Sequence, residues 1–175
     1  IVVKEGTISS SIVNWSYDGA YQRDNGFQGE IVLNGVWYWQ PYQEGNDQPD
    51  STIWLYRNVP GAGNDFPVMT KTGGKVTTWK KQKITGNEKC WQEREFTVPE
   101  KWKDREIFVE IFNALGGAEV FLDGKKVGYT WENLPAKLSL PKPINYNKPY
   151  KLTILSNGII DDVWLRSFPE GSRIE

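Results

Sequence analysis

Short apolar runs separated by turn residues recur along most of the chain. Several runs alternate apolar and polar side chains, which is the period of a β-strand, and no window has sustained helical periodicity. We expect one helical turn at most, over residues 100–104, and Asp123-Gly124 predicts a hairpin turn. The strand-like runs are residues 30–33, 36–39, 53–56, 91–98, 107–112, 120–122, 125–127, 150–155 and 163–165.

This pattern of about eight or nine short strands predicts an all-β domain, either a β-sandwich or a jelly roll. No internal repeat, low-complexity tract or long linker divides the chain. We therefore expect a single domain over residues 1–175, with its core over about residues 28–168.

The parity of residues within a strand sorts some of the aromatic side chains into core and surface. Trp37 and Trp39 share the parity of the apolar residues in the run before them, and Phe108 and Phe112 lie in a run that is apolar on both faces. We expect these four residues in the core, whereas Trp164 could face either side.

A second parity argument concerns the strand that begins at Trp91. Trp91 and Phe96 fall on opposite faces, as in a strand covered on both sides. Glu93 and Glu95 share the face of Trp91 and are expected to point into solvent. An acid pair at these positions is therefore not expected to perform catalysis.

Composition excludes several kinds of chemistry. The 175 residues contain no His and a single Cys, so His-dependent nucleophiles, His-ligated metals and internal disulfides are ruled out. Cys90 is expected to be a buried structural thiol. A net charge of −1 gives no strong field for nucleic acid, and the lysines between residues 71 and 89 are expected in a solvated loop or edge strand.

The abundant aromatics, nine Trp, eight Tyr and seven Phe, are the richest functional signal. Trp54 and Tyr56 alternate with two aliphatic neighbours, so one of these pairs is expected to be exposed, and Arg57 follows directly. The segment 131–133 is a predicted loop with an aromatic ring beside an acid and an amide. Flat rings stack on sugar C–H groups and planar polar groups bind hydroxyls. The glycan-binding candidates are therefore Trp54, Tyr56, Arg57, Trp131, Glu132 and Asn133.

An alternative remains open for this loop, in which Trp131 closes the end of the sandwich. Two acidic segments also have two interpretations. Asp161-Asp162 could hold a cation or could bind its own turn, and the oxygen-rich loop with Asp47 and Asp50 could hold a structural Ca²⁺. We expect no cofactor otherwise.

The beginning of the sequence shows no Met, no signal peptide and no apolar run long enough to span a membrane. We expect an extracellular or periplasmic location, as for a mature secreted protein or a domain of one.

The order and spacing of several motifs resemble the N-terminal sugar-binding domain of family-2 glycoside hydrolases, the β-galactosidase, β-glucuronidase and β-mannosidase group, over roughly residues 31–168. The resemblance implies a jelly roll of the galactose-binding-like type. Gln92 stands where that family commonly has Tyr, and residues 129–134 replace its glycine-rich loop. The motifs are Leu33–Trp37, Trp91–Pro99, Trp102-Lys103, Ala118–Gly128 and Gly158–Leu165.

The family's two catalytic glutamates lie on a separate barrel domain, so we expect no catalysis from this chain alone. Asn87-Glu88 resembles the dipeptide of the family's acid/base but falls in a predicted loop. We expect a non-catalytic carbohydrate-binding or accessory module of a glycoside hydrolase-like protein, with glycan or a neighbouring catalytic domain as its partner. The alternatives are a structural interdomain or oligomerisation module without ligand, a fragment of a larger glycosidase, and a small lyase that uses Tyr with Lys or Arg.

Overall fold

The computed structural model describes residues 22–52, 54–60, 89–146 and 148–171. These residues form two antiparallel sheets and one short 3-10 helix, Glu100–Trp102. The five-stranded sheet has the order β1 (Gln22–Asp24), β2 (Gly29–Val32), β11 (Val163–Pro169), β6 (Arg105–Ile111) and β9 (Ala136–Ser139). The six-stranded sheet has the order β4 (Leu55–Val59), β3 (Gly35–Pro41), β5 (Cys90–Phe96), β10 (Tyr150–Ser156), β7 (Ala118–Leu122) and β8 (Lys125–Thr130).

The core lies between the two sheets because alternate residues of each strand point inward. Ile31, Val109 and Leu165 enter it from the five-stranded sheet, and Trp37 and Ile154 enter it from the six-stranded sheet. The predicted all-β jelly-roll sandwich is therefore confirmed. No helix in the described part of the chain is long and apolar enough to cross a membrane.

Most of the described tryptophans belong to the packing of the fold. Truncating a buried Trp to Ala typically costs about 3–5 kcal/mol, so each is a large structural contribution. Trp91 and Phe96 face opposite sides of β5, as the parity of the sequence predicted, and Phe96 joins the core between the sheets. The tryptophans with at most 2% of their surface exposed are Trp37, Trp39, Trp54, Trp91 and Trp102.

Two turns decide how the strands are connected. Asp123 and Gly124 have φ angles of 49° and 78°, both positive as a type I′ turn requires, and they join β7 to β8 as the predicted hairpin. Asn34-Gly35 instead separates strands of different sheets, because β2 lies in the five-stranded sheet and β3 in the six-stranded one. Gly35, at φ 122°, takes the conformation that this change of sheet needs.

The helical turn after Pro99 is confirmed, and two strands were not predicted. β1 has the sequence Gln-Arg-Asp and β9 the sequence Ala-Lys-Leu-Ser. Neither contains an apolar run, and both lie at the edges of the five-stranded sheet, where backbone pairing rather than side-chain burial defines a strand. The lysine-rich stretch of residues 71–88 and Asn87-Glu88 lie outside the described residues.

Two burial predictions outside the glycan-binding candidates are wrong. Phe112, expected in the core, is 37% exposed because it lies on the outer face of the five-stranded sheet, 6.0 Å from the ring of Trp164. Phe108 is buried as predicted. Glu93, expected in solvent, is only 3% exposed because Thr153 and Lys151 of β10 lie beside it, whereas Glu95 is exposed.

Trp164 is the aromatic that the sequence could not orient. It is half-buried on the outer face of the five-stranded sheet, opposite Glu110 of β6. The guanidinium carbon of Arg166 lies 4.7 Å from the centre of its ring. Trp164 therefore belongs to the outer surface and not to the core.

Candidate functional site

The loop after β8 presents an exposed aromatic cluster. Trp131 is 66% exposed and Tyr129 is 45% exposed, and their rings meet edge to face with 4.7 Å between centroids. Leu134 beside them is also exposed, and its N–H donates to the carbonyl of Trp131 at 3.3 Å. Asn133 has φ 59°, a left-handed conformation that Asn tolerates well, and it closes this turn. Trp131 therefore does not close the end of the sandwich.

A shallow depression of about 560 Å³ lies beside this cluster, and we call it the Trp131 depression. The salt bridge from Lys126 to Glu119, 2.8 Å, crosses the β7–β8 hairpin at its wall. A side chain at Gly117 would meet the carbonyl of Thr130 at 2.7 Å, so glycine allows the backbones to approach here. The described lining residues of the Trp131 depression are Lys89, Gly116, Gly117, Ala118, Glu119, Lys126, Tyr129, Thr130, Trp131, Glu132, Leu155, Ser156 and Asn157.

A second concavity, of about 360 Å³, lies on the outer face of the six-stranded sheet, and we call it the Trp54 cleft. Trp54 and Trp91 form its apolar wall together with Phe121, whose ring centroid is 5.5 Å from that of Trp91. Residues 47–49 and Ser51, from the loop before β4, also line it. Its described lining residues are Asp47, Gln48, Pro49, Ser51, Trp54, Trp91, Glu93, Phe121, Asp123, Gly124, Lys151 and Thr153.

Buried and half-buried polar groups converge on the Trp54 cleft. The hydroxyl of Thr153 donates to Glu93 Oε2 at 3.1 Å, and Lys151 Nζ lies 3.8 Å from Glu93 Oε1. At the hairpin tip, the N–H of Lys151 donates to Asp123 Oδ1 at 2.8 Å, and the N–H of Asp123 donates to the carbonyl of Lys151 at 2.9 Å. The hairpin tip is thereby fixed against the start of β10.

The first predicted segment, residues 54–57, is split between the two faces of its sheet and is not exposed. Tyr56 packs beside Tyr38, with 5.3 Å between ring centroids, and burial raises its pKa. Arg57 points toward Cys90, and burial lowers the pKa of its guanidinium. Trp54, Tyr56 and Arg57 are 1%, 6% and 3% exposed.

The six predicted glycan-binding residues therefore do not form one site. Trp131 and Glu132 line the Trp131 depression, and Asn133 lies in the same exposed turn. Trp54 lines the separate cleft, and among the other described lining residues the sequence suggested only Asp47, as a calcium ligand. The parity of Trp91 and Glu93 was the available signal, since it placed both on this face, but it gave no reason to expect a cover over them.

Cys90 is fully buried, as predicted. Burial raises the pKa of its thiol to about 11, although Arg57, Trp39 and Ser156 act in the opposite direction. Its thiolate form is therefore rare at neutral pH, and Cys90 is no nucleophile.

The acidic candidates for a cation are engaged in local hydrogen bonds. Asp162 Oδ1 accepts from Asn34 at 2.7 Å, and Asp161 Oδ1 accepts from the N–H of Asp162 at 2.9 Å. Asp50 Oδ1 accepts from both the N–H and the hydroxyl of Thr52. Asp47 lies on the rim of the Trp54 cleft. Within the ranges that the structure describes, no three acidic or sulfur side chains come together as a metal site. For both pairs, calcium binding stays one of the two interpretations, beside the local hydrogen bonds.

Comparison with solved structures finds chains that share this fold. A β-glucuronidase from an uncultured Clostridium species superposes with a TM-score of 0.64 at 19% identity, over 86% of this chain and 30% of that one. A Ruminococcus gnavus β-glucuronidase gives 0.62 at 18%, over 88% and 30%. A Bifidobacterium dentium β-glucuronidase complexed with coumarin-3-O-glucuronide gives 0.63 at 16%, over 85% and 31%.

The chain thus spans about 30% of the length of these glycosidases. No protein-family model and no curated sequence matches it. At such low identity the likeness concerns the fold, which is that of a domain found within β-glucuronidases.

Proposed function

We propose that this chain is a non-catalytic carbohydrate-binding module of a glycoside hydrolase-like protein, and that it binds glycans weakly through the Trp131 depression. The observation that carries the proposal is the exposure of Trp131 and Tyr129 beside a polar-lined concavity. An exposed indole costs free energy in water, and stacking on the C–H face of a sugar ring would recover it.

The polar lining supplies what sugar hydroxyls need. Glu119 and Glu132 are acceptors, Lys89 and Lys126 are donors, and the amide of Asn157 is both. The depression is open, and among its described lining residues two acids balance two lysines, so the geometry supports modest affinity and little discrimination by charge. An open site of this kind suits segments inside a long polysaccharide, which occur outside the cytoplasm, in line with an extracellular or periplasmic location.

The likeness to part of several glycosidases supports an accessory role beside a catalytic domain. No catalytic assignment is proposed for this chain. Two carboxylates are buried among the described residues: Glu93 accepts from Thr153 and lies near Lys151, and Glu110 pairs with Arg166. Cys90 is inaccessible.

A structural role without ligand is the second candidate, and one surface favours it. On the outer face of the five-stranded sheet Phe112 is 37% exposed and Arg166 lies over Trp164, an aromatic and cationic surface of the kind enriched at protein interfaces. In that case a neighbouring domain of the same protein would cover Phe112 and Trp164.

A retention assay separates the two candidates. The chain is run through native gels that contain soluble plant, algal or host polysaccharides, and it is pulled down with insoluble ones. Glycan binding predicts retardation by at least one polysaccharide and loss of that retardation in Trp131→Ala. Phe27→Ala is the matched control, because Phe27 is 62% exposed and is not among the described lining residues of the depression. If no polysaccharide retards the chain, the structural role without ligand is the remaining candidate.

A further inference from the structure

We propose that the Trp131 depression holds a single sugar ring, stacked on the indole of Trp131, and that Tyr129 is the residue that positions this indole. The inference rests on the proposed function, since it assumes that the depression binds glycans. It adds the size of the recognised unit, one pyranose ring, and a second residue on which binding depends. Among the described lining residues of the depression, Trp131 and Tyr129 are the only aromatic ones.

The angle between the two rings does not suit a platform made of both. Their planes are inclined at 64°, with 4.7 Å between centroids. The apolar C–H groups of a pyranose point outward from its flat faces, so one sugar ring stacks on one aromatic plane at a time. Two consecutive units of an extended glycan would need two aromatic planes that are nearly parallel. The pair therefore offers a stacking surface for one ring, which the depression would recognise wherever it occurs in a glycan.

The places of the two residues in the chain decide which ring is the stacking surface. Tyr129 lies within β8 opposite Glu119 of β7, so its ring is attached to paired backbone. Trp131 follows the end of β8, and its carbonyl accepts from the N–H of Leu134 in the turn. The indole is also the larger ring and the more exposed one, at 66% against 45%. Trp131 is therefore the stacking surface and Tyr129 its support.

The contact with Tyr129 restricts the indole before a ligand arrives. An exposed side chain that a ligand has to order loses rotamer freedom, and this loss weakens binding. The edge-to-face contact orders the indole beforehand and leaves at least one indole face uncovered by Tyr129. Because this contact needs the ring of Tyr129 and not its hydroxyl, Phe at position 129 would support the indole equally well, whereas Ala would not.

Two substitutions of Tyr129 test the positioning role, with the indole N–H signal of Trp131 assigned by Trp131→Phe. In Tyr129→Ala we expect glycan affinity to fall about three- to tenfold and NMR relaxation to show a more mobile indole, whereas Tyr129→Phe should match wild type in both. Leu134→Ala is the matched control, since Leu134 is 56% exposed in the same turn and is not among the described lining residues. Unchanged mobility in Tyr129→Ala, or an equal loss of affinity in Tyr129→Phe, would overturn the role.

The length of the ligand tests the single ring. The methyl β-glycosides of glucose, galactose and mannose are compared with cellotetraose, galactotetraose and mannotetraose by titration of the Trp131 indole signal. The methyl glycosides of the sugars in any polysaccharide that retards the chain are added to this set. A site for one ring predicts that a tetrasaccharide binds at most about fourfold more tightly than its methyl glycoside, because four units only multiply the ways of binding one, whereas two rings held at once would gain about a hundredfold or more.

The outcomes keep this inference apart from the proposed function. A gain in affinity with length that clearly exceeds this statistical factor would overturn the single ring and leave the proposed function standing. The same follows if a polysaccharide retards the chain through Trp131 while the methyl glycosides of its own sugars leave the Trp131 signal unchanged. If no probe moves that signal and no polysaccharide retards the chain, the proposed function fails as well.

Discussion

Asn34 and Asp162, 128 residues apart, are joined by a hydrogen bond of 2.7 Å from Asn34 Nδ2 to Asp162 Oδ1. The same side chain accepts from the N–H of Val163 at 3.0 Å, and the carbonyl of Asn34 accepts from Arg94 at 2.9 Å. Asn34, which lies in the connection between β2 and β3, therefore links that connection to the start of β11 by hydrogen bonds. This gives Asp162 a structural role in its turn.

Asn34→Asp should destabilise the fold, because a second carboxylate would face Asp162 and the amide donor would be lost. We expect the free energy of unfolding to fall by about 1–3 kcal/mol at pH 7, measured by urea denaturation. Part of the loss should be recovered at acidic pH, where one carboxyl is protonated. Asn25→Asp is the control, since Asn25 Oδ1 only accepts bonds, from the N–H groups of Phe27 and Gln28. Equal effects of the two substitutions would contradict this account.

Asp24 should make stability depend on pH in the acid range. Burial raises its pKa, but bonds from Gly26, Trp102, Arg105 and Lys101 outweigh burial and lower it to about 2, from 3.8. The charged form is thus favoured in the folded state, and its contribution is present above about pH 4 and lost as the pH falls toward 2. Wild type should be more stable than Asp24→Asn at pH 7, with a difference that narrows below pH 4. A stability difference between wild type and Asp24→Asn that does not change with pH would contradict the lowered pKa of Asp24.

Cys90 should resist modification in the folded protein. Its thiol is buried and its pKa is raised to about 11, so neither access nor thiolate is available at pH 8. Ellman's reagent should titrate no thiol until denaturant is added, and then one. Rapid labelling of the native chain would show that the sheet opens at β5.

Removal of calcium should leave stability unchanged. The carboxylates of Asp50, Asp161 and Asp162 already accept hydrogen bonds from their own loops or from Asn34. We expect the same melting temperature in excess EDTA and in millimolar Ca²⁺. A melting temperature that rises when calcium is added would identify a site. The rise should then be absent in the double variant Asp47→Asn with Asp50→Asn, or in Asp161→Asn.

The sequence predicted the sandwich well because alternation and turn chemistry are local. Asp123-Gly124 specified its hairpin, and the opposite parity of Trp91 and Phe96 specified a strand covered on both faces. β1 and β9 were missed because neither has an apolar run: β1 pairs with β2 across a short turn, and β9 pairs with β6, which precedes β7 and β8 in sequence.

The sites could be predicted only in part, because exposure depends on what covers a residue. Trp131 begins the loop after the edge strand β8, and the sequence predicted this loop but left open whether Trp131 is exposed or closes the end of the sandwich. The sequence around Trp54 and Glu93 gave no sign that residues 47–49 and Ser51 line the same concavity. Contacts between a loop and a sheet face depend on tertiary structure and leave no local sequence pattern. The face of β5 that was expected to be exposed to solvent therefore lines a cleft.

The central claim is that Trp131 binds glycans, and a calorimetric titration tests it most directly. The polysaccharide retained most strongly in the gels would be titrated into wild type, Trp131→Ala and Phe27→Ala, each first shown to have the same melting temperature. We predict an affinity lowered about tenfold or more in Trp131→Ala and unchanged in Phe27→Ala. Equal affinity of wild type and Trp131→Ala would contradict the account.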